Sequence, residues 1–384
     1  MNKKIIIILS HILILFNINV WAGEKSTELK IGLLAPFSGD YKDLGNSLLL
    51  STQLALDEIN DEKIKIIPRD SGSGNKEQLN RAIKEIINSG AKIIIGPMDS
   101  ENFKELNKYQ DIIFISLSNI EPEISKNVIS IGISLESQIK ALENFILKQK
   151  KKKTIIMYPK NHYSSLIDQK IKNIKIKNYK IFKYNPDPKI LTGEIEKLTN
   201  YSQRKRNLEL RKKLLEDKED ESSKRELAIL EQKYTLGKIN FDSLIIIDFG
   251  NNLKSVLASL VFTDVDDKEV LFTTVNQWFD DSIFYENSVS NLYYPSINLK
   301  NFKRYNKKFF KTFELYPNEI TILAYDALGL IYYVWKKNNG ISSIKDFILK
   351  EKIKGKTGSF TLQNGRVSQD LDIYKTEKNK FIKF

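Results

Sequence analysis

Cysteine and histidine, the residues most often found in transition-metal sites and catalytic triads, are scarce in this sequence. The chain contains no cysteine and two histidines, His11 and His162. With His11 in the N-terminal region, one histidine remains, which excludes a multi-histidine metal site and leaves one candidate for a catalytic triad. The sequence has no GxSxG, HExxH or GxxxxGK(S/T) motif. We therefore expect a protein without enzymatic activity, with no cofactor and no metal.

Serine-rich loops offer a different kind of chemistry, hydrogen bonding to a bound ligand. Ser100 lies in the segment GPMDSEN, and Ser116 and Ser118 lie in ISLSNIEP. Hydroxyl groups in such loops can hold a polar ligand group, but they can equally cap helices or stabilise turns. The neighbouring carboxylates Asp99 and Glu101 are interpreted as solvated residues at a strand end and a helix start.

The N-terminus has the three parts of a secretory signal. Lys3 and Lys4 precede an apolar run that ends at Phe16, and Ala22 completes a Val-Trp-Ala cleavage sequence. We predict a signal peptide over residues 1–22 and a periplasmic protein with no stable membrane span after cleavage. An uncleaved anchor is the alternative, although the run is shorter than the ~20 residues of a spanning helix. Since there is no cysteine, a lipidation cysteine is excluded.

The net charge of the chain is strongly positive, at +13. A basic balance is typical of proteins with anionic partners. Here the lysines are spread along the whole chain and do not form one block with interleaved aromatic residues. This distribution indicates a general compositional bias, and we predict no nucleic-acid binding.

Apolar strands alternate with amphipathic helices along most of the chain. The alternation predicts a parallel sheet with helices on both faces. It restarts near residue 137, and the chain length of 384 residues exceeds the roughly 250–300 residues at which a single core stops growing. We therefore predict an α/β fold with two lobes.

A charged segment over residues 196–236 interrupts this alternation. Apolar residues at helical spacing stand on both sides of a polar stretch near Lys218, and they are Leu208, Leu214, Leu215, Leu227, Leu230 and Tyr234. The spacing predicts a helical hairpin projecting from the second lobe, and a disordered charged insert is the alternative. Such a hairpin would provide a docking surface for another protein.

Five segments in order along the chain resemble those of a known family. They are GLLAPFSGDYKDLG, RDSGSG, GAKIIIGP, TILAYDALGL and GSFTLQNGRV. Their order and spacing resemble the type I periplasmic binding proteins of the leucine-binding protein domain family. The resemblance implies two hinged lobes, each a parallel sheet flanked by helices, that close on a ligand. The implied crossings near residues 135, 276 and 352 assign residues 28–135 and 277–352 to lobe one, and residues 136–276 and 353–384 to lobe two.

Within this superfamily, the chain is similar to the penicillin-binding-protein activators of alphaproteobacterial type. The segments NYSQRKRNLELRKKLLE, TTVNQWFDD and GSFTLQNGRV carry this similarity. It implies an envelope interaction protein whose partner is a peptidoglycan synthase or another envelope protein. The alternative is the amino-acid-binding component of an ABC transporter, with a small amino-acid-like ligand.

The family resemblance also implies candidate ligand-binding residues. Hydroxyl groups would bind a ligand carboxylate, aromatic rings would close over the ligand, and an acidic side chain would bind its ammonium group. The corresponding positions here are Ser100, Ser116, Ser118, Tyr163, Phe249 and Gln277. Gln277 lies near the place of the ammonium-binding acid, and a neutral amide offers no charge to offset desolvation. This departure weakens the amino-acid interpretation.

Overall fold

The computed structural model of the chain describes residues 28–98, 103–118, 126–277, 290–363, 365–377 and 380–383. The predicted signal peptide therefore lies outside the described residues. The described residues form two β-sheets flanked by helices. The predicted two-lobed α/β fold is confirmed.

The first sheet has eight strands and forms the centre of lobe one. Its strands are β1 (Leu29–Ala35), β2 (Ile64–Asp70), β3 (Ile93–Ile95), β4 (Ile113–Ser116), β5 (Val128–Ser130), β11 (Ile353–Lys354), β12 (Ser359–Gln363) and β13 (Arg366–Gln369). The order across the sheet is β11-β12-β13-β5-β4-β3-β1-β2. Strands β1 to β5 pair in parallel and most are continuous apolar runs, since helices cover both of their faces.

The helices of lobe one are α1 (Lys42–Ile59), α2 (Lys76–Asn88), α3 (Phe103–Leu106), α10 (Leu299–Phe313) and α11 (Ile322–Asn338). Helix α11 is the most buried, as its apolar sequence predicts, and it packs against α1. Gly45 permits a close approach of α1 to β1, because a Cβ atom there would lie 2.1 Å from the Pro36 carbonyl oxygen.

The second sheet has seven strands and forms the centre of lobe two. Its strands are β6 (Thr154–Pro159), β7 (Tyr179–Tyr184), β8 (Ser243–Ile246), β9 (Leu271–Thr274), β10 (Leu292–Ser296), β14 (Asp372–Glu377) and β15 (Lys380–Lys383). The order is β15-β14-β10-β9-β8-β6-β7. Helices α4 (Leu135–Lys148), α5 (Ser164–Ile171), α6 (Pro188–Thr199) and α9 (Gly250–Phe262) flank it.

Two of the three crossings between the lobes come later in the chain than the family resemblance implied. The first lies between β5 and α4, close to the expected residue 135. Strand β10 still pairs with β9 in the second sheet, so the second crossing follows Ser296 and not residue 276. Strands β12 and β13 belong to the first sheet, so the third crossing follows Gln369 and not residue 352. The second and third crossings come later than expected because strand pairing, which joins segments far apart in sequence, decides the lobe to which a segment belongs.

The charged segment folds as the predicted helical hairpin. Helices α7 (Tyr201–Glu216) and α8 (Glu221–Glu231) pack on each other through a small cluster formed by Leu208, Leu215 and Leu230. Asp220 caps α8 by accepting hydrogen bonds from the Ser223 backbone N–H and hydroxyl. We refer to α7 and α8 together as the α7–α8 hairpin.

Candidate functional site

The three crossings define where a ligand cleft between the lobes must lie. The first leaves the carboxyl end of β5, and the second leaves the carboxyl end of β10 at Ser296. The third follows β13, which is parallel to β5, and enters β14 opposite Ser296. All three therefore connect the carboxyl edges of the two sheets, which is where open α/β sheets bind ligands.

On lobe one, Asp70 organises the loop that follows β1. Its Oδ1 accepts hydrogen bonds from the Phe37 N–H at 2.9 Å and the Gly72 N–H at 3.0 Å, and its Oδ2 accepts one from the Ser38 hydroxyl at 2.6 Å. Burial raises the pKa of this carboxyl, but the hydrogen bonds outweigh burial and hold the pKa below its ordinary value. Asp70 is therefore an ionised residue that shapes the edge of the cleft.

The candidate serines of lobe one are used within the protein. The Ser116 hydroxyl donates to the Pro97 carbonyl at 3.3 Å and accepts from the Ser118 N–H at 3.2 Å. The Ser118 carbonyl accepts from the Ser130 hydroxyl at 3.2 Å. Both candidates are buried at the carboxyl end of β4. Ser100, the third candidate, lies outside the described residues.

The two candidate aromatic residues lie at the carboxyl edge of the second sheet. Tyr163 precedes α5, and its backbone N–H donates to Asn161 Oδ1 at 2.9 Å. Phe249 precedes α9. Both rings are partly buried against the same apolar cluster of lobe two. The structure therefore places Tyr163 and Phe249 at the carboxyl edge of the second sheet and Ser116 and Ser118 at the carboxyl edge of the first.

A buried carboxylate beside Phe249 was not among the predicted site residues. Asp248 follows β8, accepts a hydrogen bond from the Tyr184 hydroxyl through Oδ2, and accepts one from the Phe249 N–H at 2.8 Å through Oδ1. Burial raises the pKa of Asp248 above its ordinary value. An acidic residue directly after an apolar strand, as in SLIIID, is the sequence signal that could have identified it.

The candidate ammonium acceptor Gln277 is occupied within lobe two. Its Nε2 donates to the Asp248 carbonyl at 2.9 Å and to the Val275 carbonyl at 3.1 Å. Its Oε1 accepts from the Gly250 N–H at 3.3 Å, and the side chain is buried. Gln277 therefore ties the end of β9 to the start of α9.

A chain of polar contacts joins the first two crossings. The Gln138 side chain donates to the Ile133 carbonyl at 2.8 Å and accepts from the Asn276 N–H at 2.7 Å. The Asn276 amide donates to the Ser296 hydroxyl at 3.1 Å, and that hydroxyl also contacts the Glu319 carboxylate of lobe one. Glu319 was not predicted, because its proximity to the cleft depends on the path of the second crossing.

Within the described part of the chain, no group of three or more histidine, aspartate or glutamate residues could hold a metal ion. The described helices are also too short or too polar for any of them to cross a membrane. The described cleft edges carry hydroxyl, amide, carboxylate and aromatic groups, which can hold a ligand by hydrogen bonds and packing.

The first part of the chain matches a known protein family. Residues 28–174 match the periplasmic binding protein family. A search of curated protein sequences found no significant match.

Solved structures match the fold over nearly the whole chain. The branched-chain amino acid binding protein LivJ of Streptococcus pneumoniae, in complex with isoleucine, has 16% identity and a TM-score of 0.59 over 93% of this chain and 99% of that one. A branched-chain amino acid ABC transporter ligand-binding protein of Burkholderia xenovorans has 12% identity and a TM-score of 0.67 over 93% and 94%. The C-domain of LpoA of Haemophilus influenzae, a regulator of PBP1A, has 14% identity and a TM-score of 0.55 over 92% and 99%.

The protein therefore has the fold of the type I periplasmic binding proteins, as its sequence segments indicated. Its structural neighbours include both solute-binding proteins and a regulator of a penicillin-binding protein.

Proposed function

We propose that this chain is a non-enzymatic periplasmic interaction protein, similar to penicillin-binding-protein activators, that binds and regulates a peptidoglycan synthase. The observation that carries the proposal is an apolar surface on the α7–α8 hairpin. The occupied amide of Gln277, where amino-acid binders have an acidic side chain, also supports it. The likeness to the LpoA C-domain, a PBP1A regulator, is consistent with this role.

The hairpin segment exposes large apolar side chains that are not part of its own core. Leu210 and Leu214 are one turn apart on α7, and at 100° per residue each lies 100° or more around the helix from the buried Leu208 and Leu215. Together with Ile229 and Tyr234 they have exposed fractions between 53% and 78%. Several exposed large apolar side chains within a short segment are typical of a protein-interaction surface. We call Leu210, Leu214, Ile229 and Tyr234 the hairpin outer face.

The hairpin is held firmly on lobe two, as a docking element should be. Arg204 is only 4% exposed, and its guanidinium donates to the Thr199 carbonyl at 3.1 Å, to the Thr235 hydroxyl at 2.9 Å and to the Thr263 carbonyl. These contacts tie the start of α7 to two loops of the lobe. A preorganised surface loses little conformational entropy on binding.

A binding measurement with peptidoglycan synthases of the same organism tests the proposal. We expect the double substitution Leu210→Ser with Leu214→Ser to weaken binding by at least tenfold, because each removes an apolar side chain worth ~1–2 kcal/mol in an interface. The control is Ile348→Ser, which removes an exposed apolar side chain from lobe one. Wild-type binding to no synthase, or equal losses in both variants, would contradict the proposal.

The alternative function is amino-acid binding for an ABC transporter. Amino-acid binding is favoured by the isoleucine complex of the similar LivJ structure and by the two aromatic rings, Tyr163 and Phe249, at the carboxyl edge of the second sheet. A thermal-shift screen of refolded, ligand-free protein with the common amino acids distinguishes the two functions. A ligand at a hundredfold over its dissociation constant adds about 2.7 kcal/mol of stability. A shift with one amino acid that Tyr163→Ala abolishes would establish solute binding.

A further inference from the structure

Helix α10 of lobe one has a continuous basic face. Its sequence, LKNFKRYNKKFFKTF, contains six cationic residues and no acidic one. The cations are Lys300, Lys303, Arg304, Lys307, Lys308 and Lys311, and all six are exposed. At 100° per residue they fall within less than half of the helix circumference. We call these six residues the α10 basic face.

The opposite side of the helix is fixed in the core of lobe one. Tyr305 and Phe309 are buried, and Phe302 and Phe313 pack against the same apolar cluster. The Tyr305 hydroxyl also contacts the Ser51 hydroxyl at 2.8 Å. Because the apolar side is fully used inside the lobe, α10 cannot rotate to cover its cations, and the basic face must point outward.

The positive charge of this face is almost uncompensated. Lys308 forms an ion pair with Glu58 of α1. The other five cations form no ion pair and no side-chain hydrogen bond with the described part of the chain. The face extends along a helix of 15 residues, which is about 22 Å long at 1.5 Å per residue. A row of unpaired charges of this length attracts an extended anionic surface.

Exposed apolar side chains adjoin the end of the basic face. The rings of Phe310 and Tyr316 stack with their centroids 4.6 Å apart, and Leu315 lies beside them in the chain. The three side chains have exposed fractions of 41% to 74%. Aromatic rings next to lysines are typical of surfaces that lie at the headgroup level of a membrane.

We propose that the α10 basic face, with Phe310, Leu315 and Tyr316, binds the surface of an anionic phospholipid bilayer. The cations would lie along the headgroups, and the three apolar side chains would enter the interface beside them. A single-stranded nucleic acid or another linear polyanion fits less well, because such polymers favour a groove with open aromatic faces. Here the two rings stack on each other, which covers one face of each ring. The inference is independent of the function proposed for the hairpin.

Sedimentation with lipid vesicles tests the proposal, using the exported protein as purified. We expect binding to vesicles of phosphatidylcholine mixed with phosphatidylglycerol and none to phosphatidylcholine alone. Each lysine near an anionic surface strengthens binding on the order of fivefold, so Lys303→Gln, Lys307→Gln and Lys311→Gln together should weaken it by about a hundredfold. Raising the salt to 1 M, where the Debye length is about 3 Å, should release most of the protein.

A matched control separates this face from the general positive charge. Lys148, Lys177 and Lys180 of lobe two are also exposed and form no ion pair with described residues, so their glutamine variant has the same net charge. It should bind the mixed vesicles nearly as wild type does, whereas Phe310→Ser with Tyr316→Ser should weaken the binding that remains at high salt. Equal losses in both lysine variants would overturn the proposal. Tighter binding to soluble polyphosphate than to vesicles, lost with the α10 lysines, would replace the membrane with a polyanion.

Discussion

The buried guanidinium of Arg204 should decide the stability of lobe two around the α7–α8 hairpin. Replacing Arg204 with Met keeps an apolar stem of similar length but removes every hydrogen bond of the guanidinium. The Thr199 and Thr263 carbonyls then lose their side-chain donor in a buried region. A buried acceptor left without a partner costs about 1–3 kcal/mol, and at ~1.5 kcal/mol each, in the lower half of that range, the two give a loss of about 3 kcal/mol.

The matched comparison is Arg211→Met, the same substitution on the same helix. Arg211 makes a bidentate contact with Glu226 at 2.8 and 2.7 Å, but the two side chains are 42% and 41% exposed. Such a surface pair contributes about 0.5 kcal/mol. The comparison of the two variants therefore tests whether the burial of an arginine, and not the number of its contacts, decides how much stability is lost when it is replaced.

Thermal unfolding followed by circular dichroism measures both variants. At about 2–4 °C per kcal/mol for a unit of this size, Arg204→Met should lower the melting temperature of lobe two by about 6–12 °C, and Arg211→Met by no more than about 2 °C. Hydrogen exchange of the Leu236 amide, which donates to the Arg204 carbonyl at 3.0 Å, should accelerate only in Arg204→Met. Equal shifts for the two variants would refute the reasoning.

Three further predictions follow from the fold and the cleft. Burial raises the folded-state pKa of Asp248 above its ordinary 3.8, so the native state binds this proton more tightly than the unfolded state does. The stability that this group contributes is therefore lost as pH rises from 3.8 through the folded-state pKa. Urea titrations should show that the free energy of unfolding depends less on pH in Asp248→Asn than in the wild type. Asp70 has a lowered pKa, so its stabilisation is present above 3.8 and lost as pH falls through the folded value. Asp70→Asn should cost about 1–3 kcal/mol at neutral pH and converge with wild type in acid. Gly45→Ala should destabilise by about 1–3 kcal/mol through its clash with the Pro36 carbonyl, whereas Gly193→Ala, in a helix with open space, should stabilise by about 0.5–1 kcal/mol in the same melting assay.

Local sequence patterns predicted the class of fold and several of its elements. Helical spacing of leucines predicted the α7–α8 hairpin, and apolar runs alternating with amphipathic helices predicted parallel sheets. These patterns predict local structure because a helix must bury one apolar stripe and a strand one apolar face. The spacing of the apolar residues is the same whichever element packs against them. The order of several weak segments was enough to indicate two lobes.

Only the tertiary structure decided which lobe each segment near the C-terminus joins. It also decided which polar side chains are hydrogen-bonded within the protein. Strand β10 joins the second sheet through pairing with β9 and β14, and the sequence of β10 does not specify those partners. The sequence placed Gln277 near a ligand and left Asp248 unassigned, but the fold binds the two to each other. The α10 basic face follows from helical spacing, yet only the packed lobe shows that five of its cations have no ion-pair partner among the described residues. Pairing and charge compensation both depend on contacts between residues distant in sequence, and the chain acquires those contacts only when it folds.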